Sequence, residues 1–215
     1  MVDLTLYIGN KNYSSWSFRL WIAMRHFDIP FDEELVPFDF AAGNPAFAAF
    51  SPTNRVPVLK HGDLTVWESL AILEYLADLY PEKQLWPVRP EMRAQARSVS
   101  AEMLSGFIAL RSECPMNMRR EPGVLEISDA AKRDVARVEQ IWRECSEAHG
   151  GPYLFSDFSI ADAMYAPVVN RLEIYMLAGD PVVLDYMKTM KSLPAWREWE
   201  LSGRQEPWIV EEDEV

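Results

Sequence analysis

Residues 56–67 read VPVLKHGDLTVW, and this stretch decides the fold of the first part of the chain. Two short β-prone runs, Val56 to Leu59 and Leu64 to Trp67, flank a Gly62-Asp63 pair, which is a typical hairpin turn. Leucines then recur on one side of residues 69–80, which predicts a helix directly after the hairpin. A hairpin that runs straight into a helix therefore closes this part of the chain.

The residues before the hairpin alternate between strand and helix signals. A short β-prone run at Leu4 to Ile8 ends at Gly9, and residues 18–27 form an amphipathic helical pattern. A second strand is expected at Phe31 to Val36, and a short helix at Ala41 to Phe50. The order β-α-β-α-β-β-α predicts a small α/β domain over residues 1–80.

The chain changes character after residue 80. Prolines at positions 81, 87 and 90 interrupt regular structure and indicate a linker over residues 81–90. An all-helical domain is predicted for residues 91–215, because no strand signals follow the linker. Ser159 and Asp162 have the spacing of a capping box at one of its helices. The predicted helices cover residues 91–112, 128–149, 159–177, 183–191 and 194–201. The acidic residues 211–214 are expected to form a solvated, frayed terminus.

Composition excludes several classes of function. The chain has 215 residues and a net charge of −12, so phosphate backbones and anionic membrane surfaces would be repelled. Two cysteines without a C-x-x-C motif favour a reducing compartment over a disulfide scaffold. Neither a signal peptide nor a membrane-spanning run is evident, so a cytoplasmic location is predicted. The three histidines lie far apart, and no metal site is expected.

Serines are concentrated between the first strand and the first helix, in Tyr13-Ser14-Ser15-Trp16-Ser17-Phe18-Arg19. One interpretation is helix capping, because serine oxygens accept hydrogen bonds from the unpaired N–H groups of a first turn. The other is chemical: a hydroxyl at a helix N-terminus, where the dipole favours negative charge, stabilises an anion. The sequence alone leaves both interpretations open.

Two further segments predict recognition of a peptide-like ligand. Pro57 at the start of a strand marks a special turn, expected to have a cis bond, which leaves the Val56 backbone free to pair with an extended peptide. Glu68 and Ser69 open a helix directly after a strand. These two residues either cap that helix or bind an amino-acid head group, with the carboxylate of Glu68 on the ammonium.

Taken together, these segments resemble the glutathione transferase superfamily, and the resemblance extends over nearly the whole chain. Val56-Pro57 matches its cis-proline loop, Glu68-Ser69 its γ-glutamyl-binding pair, and the serine segment the active site of the zeta and tau classes. The resemblance implies a thioredoxin-like α/β domain followed by an all-α domain, glutathione as co-substrate without a metal, and a homodimer. It also implies a catalytic Ser14, with Ser15 as the alternative. Tyr7, near the end of the first strand, stands roughly where other classes of the superfamily have a catalytic tyrosine. Arg55 and the neighbouring amide of Asn54 are candidates for the glycine carboxylate of glutathione.

The function implied is a glutathione S-transferase that attacks a small, partly apolar electrophile with the glutathione thiolate. Another glutathione-dependent reaction (isomerisation, peroxide reduction or dehalogenation) and a non-catalytic scaffold that binds a protein partner are the alternatives. Trp16 stands where the zeta class has a cysteine, which argues against thiol chemistry by the protein itself. The second-substrate pocket is expected between the serine segment and the helical domain. Its candidate residues are Trp16, Phe107, Arg111 and Asn117, together with Met116 and Arg119.

Overall fold

The computed structural model describes residues 3–215 of the chain. Its sheet has the strand order β2-β1-β3-β4, with β1 at Leu4–Ile8, β2 at Asp32–Leu35, β3 at Val58–His61 and β4 at Leu64–Trp67. Strand β1 runs parallel to β2 and antiparallel to β3, which forms the hairpin with β4. This mixed sheet is that of a thioredoxin-like domain, and the predicted hairpin and fold class are confirmed.

Two helices complete this α/β part: α1 at Ser15–His26 and α2 at Ser69–Leu79. The short helix expected at residues 41–50 is reduced to a single 3-10 turn over Pro45–Ala49. Gly43 and Asn44 both have positive φ angles of 74° and 55°, and a helix does not continue through such residues. Proline at position 45 also disfavours helical geometry in the residue before it.

Six helices follow within the described residues, and the segment after residue 80 has no strand that joins the sheet. They are α3 (Pro90–Ser105), α4 (Ile108–Glu113), α5 (Asp129–His149), α6 (Ile160–Ile174), α7 (Pro181–Ser192) and α8 (Pro194–Gln205). The single helix predicted over residues 91–112 was wrong, because it breaks between α3 and α4. Phe107 has a left-handed φ of 55° there, and a Cβ at Gly106 would lie 2.7 Å from the Glu102 carbonyl oxygen.

The α/β and helical parts share one hydrophobic core. Helix α1 packs on α6 and α8, and Phe18 lies 5.0 Å from the ring of Trp199 and 5.1 Å from that of Trp196. Helix α6 is buried along nearly its whole length, and the Ser159–Asp162 capping box at its start is confirmed. The N-terminus of α1, which carries the serine segment, is therefore held at the junction of the two parts.

The acidic residues 211–214 are mostly exposed, as predicted, but the segment is not frayed, because it is held against the rest of the protein. Residues Glu211–Asp213 form a 3-10 turn, and the Tyr13 hydroxyl donates a hydrogen bond to the Glu214 carboxylate. Arg119 donates to the backbone carbonyl oxygens of Glu206 and Trp208. Arg119 also lies 3.7 Å from the Glu214 carboxylate, so partners from distant parts of the chain hold the tail against the junction.

No helix among residues 3–215 combines the length and apolar character that crossing a bilayer requires.

Candidate active site at the junction of the two parts

Ser14 stands at the N-cap position of α1, yet its side chain does not cap the helix. Its hydroxyl donates instead to Ser17 Oγ at 2.7 Å, and Ser17 Oγ also accepts the Gly9 N–H at 3.2 Å. The capping interpretation therefore does not hold for Ser14. The N-terminus of α1 keeps the positive end of its dipole available for an anion.

Ser14 and Ser15 both lie in the wall of a cavity of about 430 Å³, called here the larger cavity. Ser14 is only 4% exposed, whereas Ser15 is half-buried at the first position of α1. Tyr7, near the end of β1, stacks on Phe50 at 4.4 Å and is not part of this wall. The hydroxyl-bearing residues that line this cavity from the α/β part, Tyr13, Ser14 and Ser15, thus all belong to the serine segment.

The loop before β3 presents free backbone groups. The Val56–Pro57 bond is cis, as predicted. The neighbouring Arg55 is fixed on both sides, because its N–H donates to Ser51 Oγ at 3.0 Å and its carbonyl accepts from the same hydroxyl at 2.7 Å. Within residues 3–215 the Val56 N–H and C=O have no protein partner. They are therefore available to an extended peptide.

Glu68 and Ser69 lie in the wall of a second cavity of about 260 Å³, called here the smaller cavity. Glu68 has a φ of 68°, which residues other than glycine rarely adopt, and such strain is characteristic of functional sites. Its exposed carboxylate has no hydrogen-bond partner in the described part of the chain, and it does not cap α2. Ser69 is 2% exposed and donates only a long 3.4 Å bond, to the Trp16 carbonyl oxygen.

The two cavities are adjacent and share part of their walls. Four residues line both of them: Trp16, Arg55, Val56 and Arg111. An elongated ligand can therefore reach from Glu68 past Val56 to Ser14. The structure thus brings together every residue that the sequence predicted for glutathione, namely Arg55, Val56, Pro57, Glu68 and Ser69, in the wall of the smaller cavity.

Arginines surround Trp16 where the two cavities meet. The guanidinium carbon of Arg19 lies 3.9 Å from the Trp16 ring centre, and that of Arg111 lies 4.8 Å from it. Arg19 is 1% exposed and donates to the Met164 and Ser15 carbonyl oxygens at 2.8 and 3.1 Å. Burial lowers the pKa values of both arginines, and the nearby positive charges lower that of Arg19 further.

Arg171 of α6 adds a third guanidinium to this cluster. It donates to the carbonyl oxygens of Arg111 and Cys114. Burial, followed by the charge of Arg111, lowers the pKa of Arg171 to about 10. Among the described residues no carboxylate lies within 4 Å of Arg19, Arg111 or Arg171. The cluster of Arg19, Arg111 and Arg171 is therefore positive, and Arg111 and Arg171 present this charge to the larger cavity.

The predicted second-substrate residues divide into two groups. Trp16 and Arg111 lie in the wall of the larger cavity, as does Met116. Phe107 and Asn117 do not. Phe107 is buried with its ring 6.4 Å from that of Tyr165, and the Asn117 side chain accepts backbone N–H bonds beside it. Arg119 turns to the C-terminal segment, as described above.

Several residues of the larger cavity were missed by sequence reasoning. Arg171 had a visible signal, because a lone arginine interrupts the mostly apolar residues of α6 and buried arginines need a reason. Asp213 had none, since its position depends on how the tail folds back. Three aromatic residues also lie in this wall, Phe38, Phe40 and Phe47, and they belong to the segment between β2 and β3.

The cysteines are buried and lie outside both cavities. Burial raises the pKa of Cys114 to about 11 and that of Cys145 to about 12, so both remain thiols near neutral pH. Residues 3–215 also contain no group of three or more His, Cys, Asp or Glu side chains that would hold a metal ion.

Comparison with protein families places both parts of the chain in the same group. A family model of the glutathione S-transferase N-terminal domain matches residues 13–79, and one of the C-terminal domain matches residues 126–200. The two matches together cover about two thirds of the chain.

Individual relatives agree with this assignment. Maleylacetoacetate isomerase of Rattus norvegicus is 26% identical over 200 residues, which covers 89% of this chain and 89% of that protein. Glutathione S-transferase 1 of Dianthus caryophyllus is 29% identical over 171 residues, covering 77% and 76%. Among solved structures, a glutathione transferase homologue from Burkholderia GL BGR1 with bound glutathione has a TM-score of 0.72. It is 26% identical, and the match covers 95% of this chain and 100% of that chain.

Proposed function

Since the chain belongs to the glutathione S-transferase family, we propose that it binds glutathione and activates its thiol for attack on a small electrophile. One observation carries this proposal. The two adjacent cavities connect unpaired recognition groups at Glu68 and Val56 with the hydroxyl of Ser14 at the N-terminus of α1. Fold alone does not determine function, but these groups have the chemistry of a tripeptide thiol site.

Each part of glutathione finds a matching group along this path. The Glu68 carboxylate neutralises the α-ammonium, while the Ser69 hydroxyl and the N-terminus of α2 receive the adjoining carboxylate. The middle of the peptide pairs with the free N–H and C=O of Val56, as an added strand does. Arg55, which lies in both cavity walls, receives the glycine carboxylate.

The serine segment lowers the pKa of the bound thiol. A free thiol with a pKa near 8.5 is only a few per cent thiolate at pH 7. The N-terminus of α1 favours the anion, and the Ser14 hydroxyl rotates from Ser17 to donate to the sulfur. Ser17, held by the Gly9 N–H, is then free to donate to Ser14 in turn. Serine acts here as a donor to the thiolate and need not take its proton.

A titration of bound glutathione by thiolate absorbance tests this proposal. We expect a thiol pKa well below about 8.5 in the wild type. Ser14→Ala should raise it by roughly 1–2 units, because a hydrogen bond to a charged group is worth about 1.5–3 kcal/mol. Ser15→Ala is the matched control. A larger rise in Ser15→Ala would assign the sulfur contact to Ser15, and wild-type protein that binds no glutathione would favour the scaffold alternative.

Glutathione-dependent isomerisation is the second candidate. The similarity to rat maleylacetoacetate isomerase over most of both chains favours it. The two reactions differ in stoichiometry, because conjugation consumes glutathione whereas isomerisation returns it. Following free thiol during turnover with aryl halides and with cis-enone acids separates them. A product that forms without loss of thiol would identify the isomerase.

A homodimer and a cytoplasmic location remain part of the proposal. Light scattering of the purified protein tests the first. A mass near twice the chain mass of 24.8 kDa is expected, and a mass equal to that of one chain would contradict it.

A further inference from the structure

The wall of the larger cavity is positive in a protein whose net charge is −12. Arg55, Arg111 and Arg171 contribute guanidinium groups to it, and Asp213 is the only carboxylate that the described residues place there. Arginines concentrated on a cavity wall, against the overall charge of the protein, favour an anionic ligand.

The three arginines do not all face the same part of the site. Arg55 and Arg111 also line the smaller cavity, where the carboxylates of glutathione are expected. Arg171 lines the larger cavity alone, on the side of the second substrate. Its charge is therefore the one that glutathione does not account for.

Arg171 is also incompletely satisfied. It is 5% exposed, and its Nε–H has no hydrogen-bond partner in residues 3–215. Its guanidinium is bonded only to carbonyl oxygens, which do not neutralise its charge. A buried guanidinium that no carboxylate within 4 Å neutralises is costly unless a ligand supplies the negative charge.

Asp213 faces the same cavity from the folded-back tail. Arg171 and Asp213 influence each other electrostatically, yet no ion pair within 4 Å joins them. The tail turn that carries Asp213 is held by the hydrogen bond between Tyr13 and Glu214. Asp213 thus places a negative charge on the same cavity wall as Arg171, without forming an ion pair with it.

We propose that the larger cavity is an organic-anion subsite, in which Arg171 binds a carboxylate of the second substrate and Asp213 opposes it. The substrate then has an apolar body, because the rest of the wall includes Phe38, Phe40 and Met116. This inference rests on the proposed function, since it identifies the substrate class of the same site.

Calorimetric titration of the full chain with two matched ligands tests it. S-benzylglutathione places an uncharged ring beyond the sulfur, and its 3- and 4-carboxybenzyl forms add only a carboxylate. The better carboxylated ligand should bind roughly 10–100-fold more tightly than S-benzylglutathione, as expected for a charged hydrogen bond. The ratio of the two affinities is the readout.

Two variants change this ratio in opposite directions. Arg171→Gln should reduce it to near one, with retained S-benzylglutathione binding as proof of folding. Asp213→Asn should increase the ratio several-fold. Asp213 is half-buried in the tail and outside the hydrophobic core, so this substitution should not disturb folding. Glu212→Gln removes the same charge from an exposed neighbour outside the cavity wall and should leave the ratio unchanged.

The outcomes separate the two proposals. If no glutathione derivative binds, the proposed function fails. If all ligands bind the wild type and the variants equally, glutathione binding stands and the anion subsite is refuted. A carboxylate advantage that survives Arg171→Gln would overturn the assignment to Arg171.

Discussion

Glu206 ties the C-terminal segment to the loop that leads into the serine segment. It lies just after α8, is 9% exposed, and accepts the backbone N–H groups of Lys11 and Asn12 at 2.6 and 3.0 Å. Glu206→Ala leaves two buried donors without partners, each worth about 1–3 kcal/mol. Burial also raises the pKa of Glu206, because removing the carboxylate from water destabilises its charged form. This cost reduces the net stabilisation that the two hydrogen bonds provide. We therefore expect a loss in the lower half of that range, about 1.5 kcal/mol for each donor, which lowers the free energy of unfolding by about 3 kcal/mol in total.

Thermal unfolding measures this loss. For a chain of this size, about 3 kcal/mol corresponds to a fall in Tm of roughly 6–12 °C. Glu211→Ala, an exposed glutamate in the same segment, is the control for removing one acidic side chain. Because the lost acceptor holds the loop before Ser14, the thiol pKa of bound glutathione should rise as well. A Tm for Glu206→Ala within about 2 °C of the control would refute the reasoning.

Three further predictions concern other parts of the molecule. Ser159→Ala removes the N-cap of α6 and should destabilise the protein by about 1–2 kcal/mol, read as a fall in Tm. Gly203→Ala should not give the roughly 1 kcal/mol gain usual in a helix, because its Cβ would lie 3.1 Å from the Lys11–Asn12 backbone. A gain of that size would contradict this packing. Burial raises the pKa of Asp213 to about 6, and its charged neighbours are Arg171, Glu212 and Glu214. Asp213 therefore loses its negative charge as the pH falls below neutrality, and it then no longer repels a carboxylate ligand. The advantage of carboxybenzyl over benzyl ligands should therefore grow as the pH falls from 7.5 to 5.5, and should stay constant in Asp213→Asn.

Local signals predicted most of the fold, and the residues proposed for glutathione share one cavity wall. The turn at Gly62-Asp63, the bond before Pro57 and the Ser159–Asp162 box each depend on neighbouring residues, so the sequence displays them directly. The break before α4 was less visible, because Gly106 is tolerated in many helices and Phe107 gives no sign of a left-handed turn.

Long-range contacts account for the remainder. The tail folds back through a bond between Tyr13 and Glu214, which are 201 positions apart in the sequence. Composition indicates that such an acidic tail is solvated, and only the three-dimensional arrangement supplies its partners. The same holds for Arg171, whose place in a cavity wall depends on how α6 packs against α1. A lone arginine among the mostly apolar residues of α6 indicates that the side chain is buried, but it does not indicate that the side chain lines a cavity.

The way Arg19 spans the junction limits how this chain can be divided or recombined. Its guanidinium bonds one carbonyl in α1 and one in α6, and the indoles of α8 pack on the same helix α1. Either half expressed alone would expose large aromatic surfaces and leave this cation unmatched. A chimaera that takes its helical half from a relative would need side chains that pack on Phe18 as Trp196 and Trp199 do, and an α6 backbone carbonyl within reach of Arg19, so the two halves are most easily exchanged as a pair.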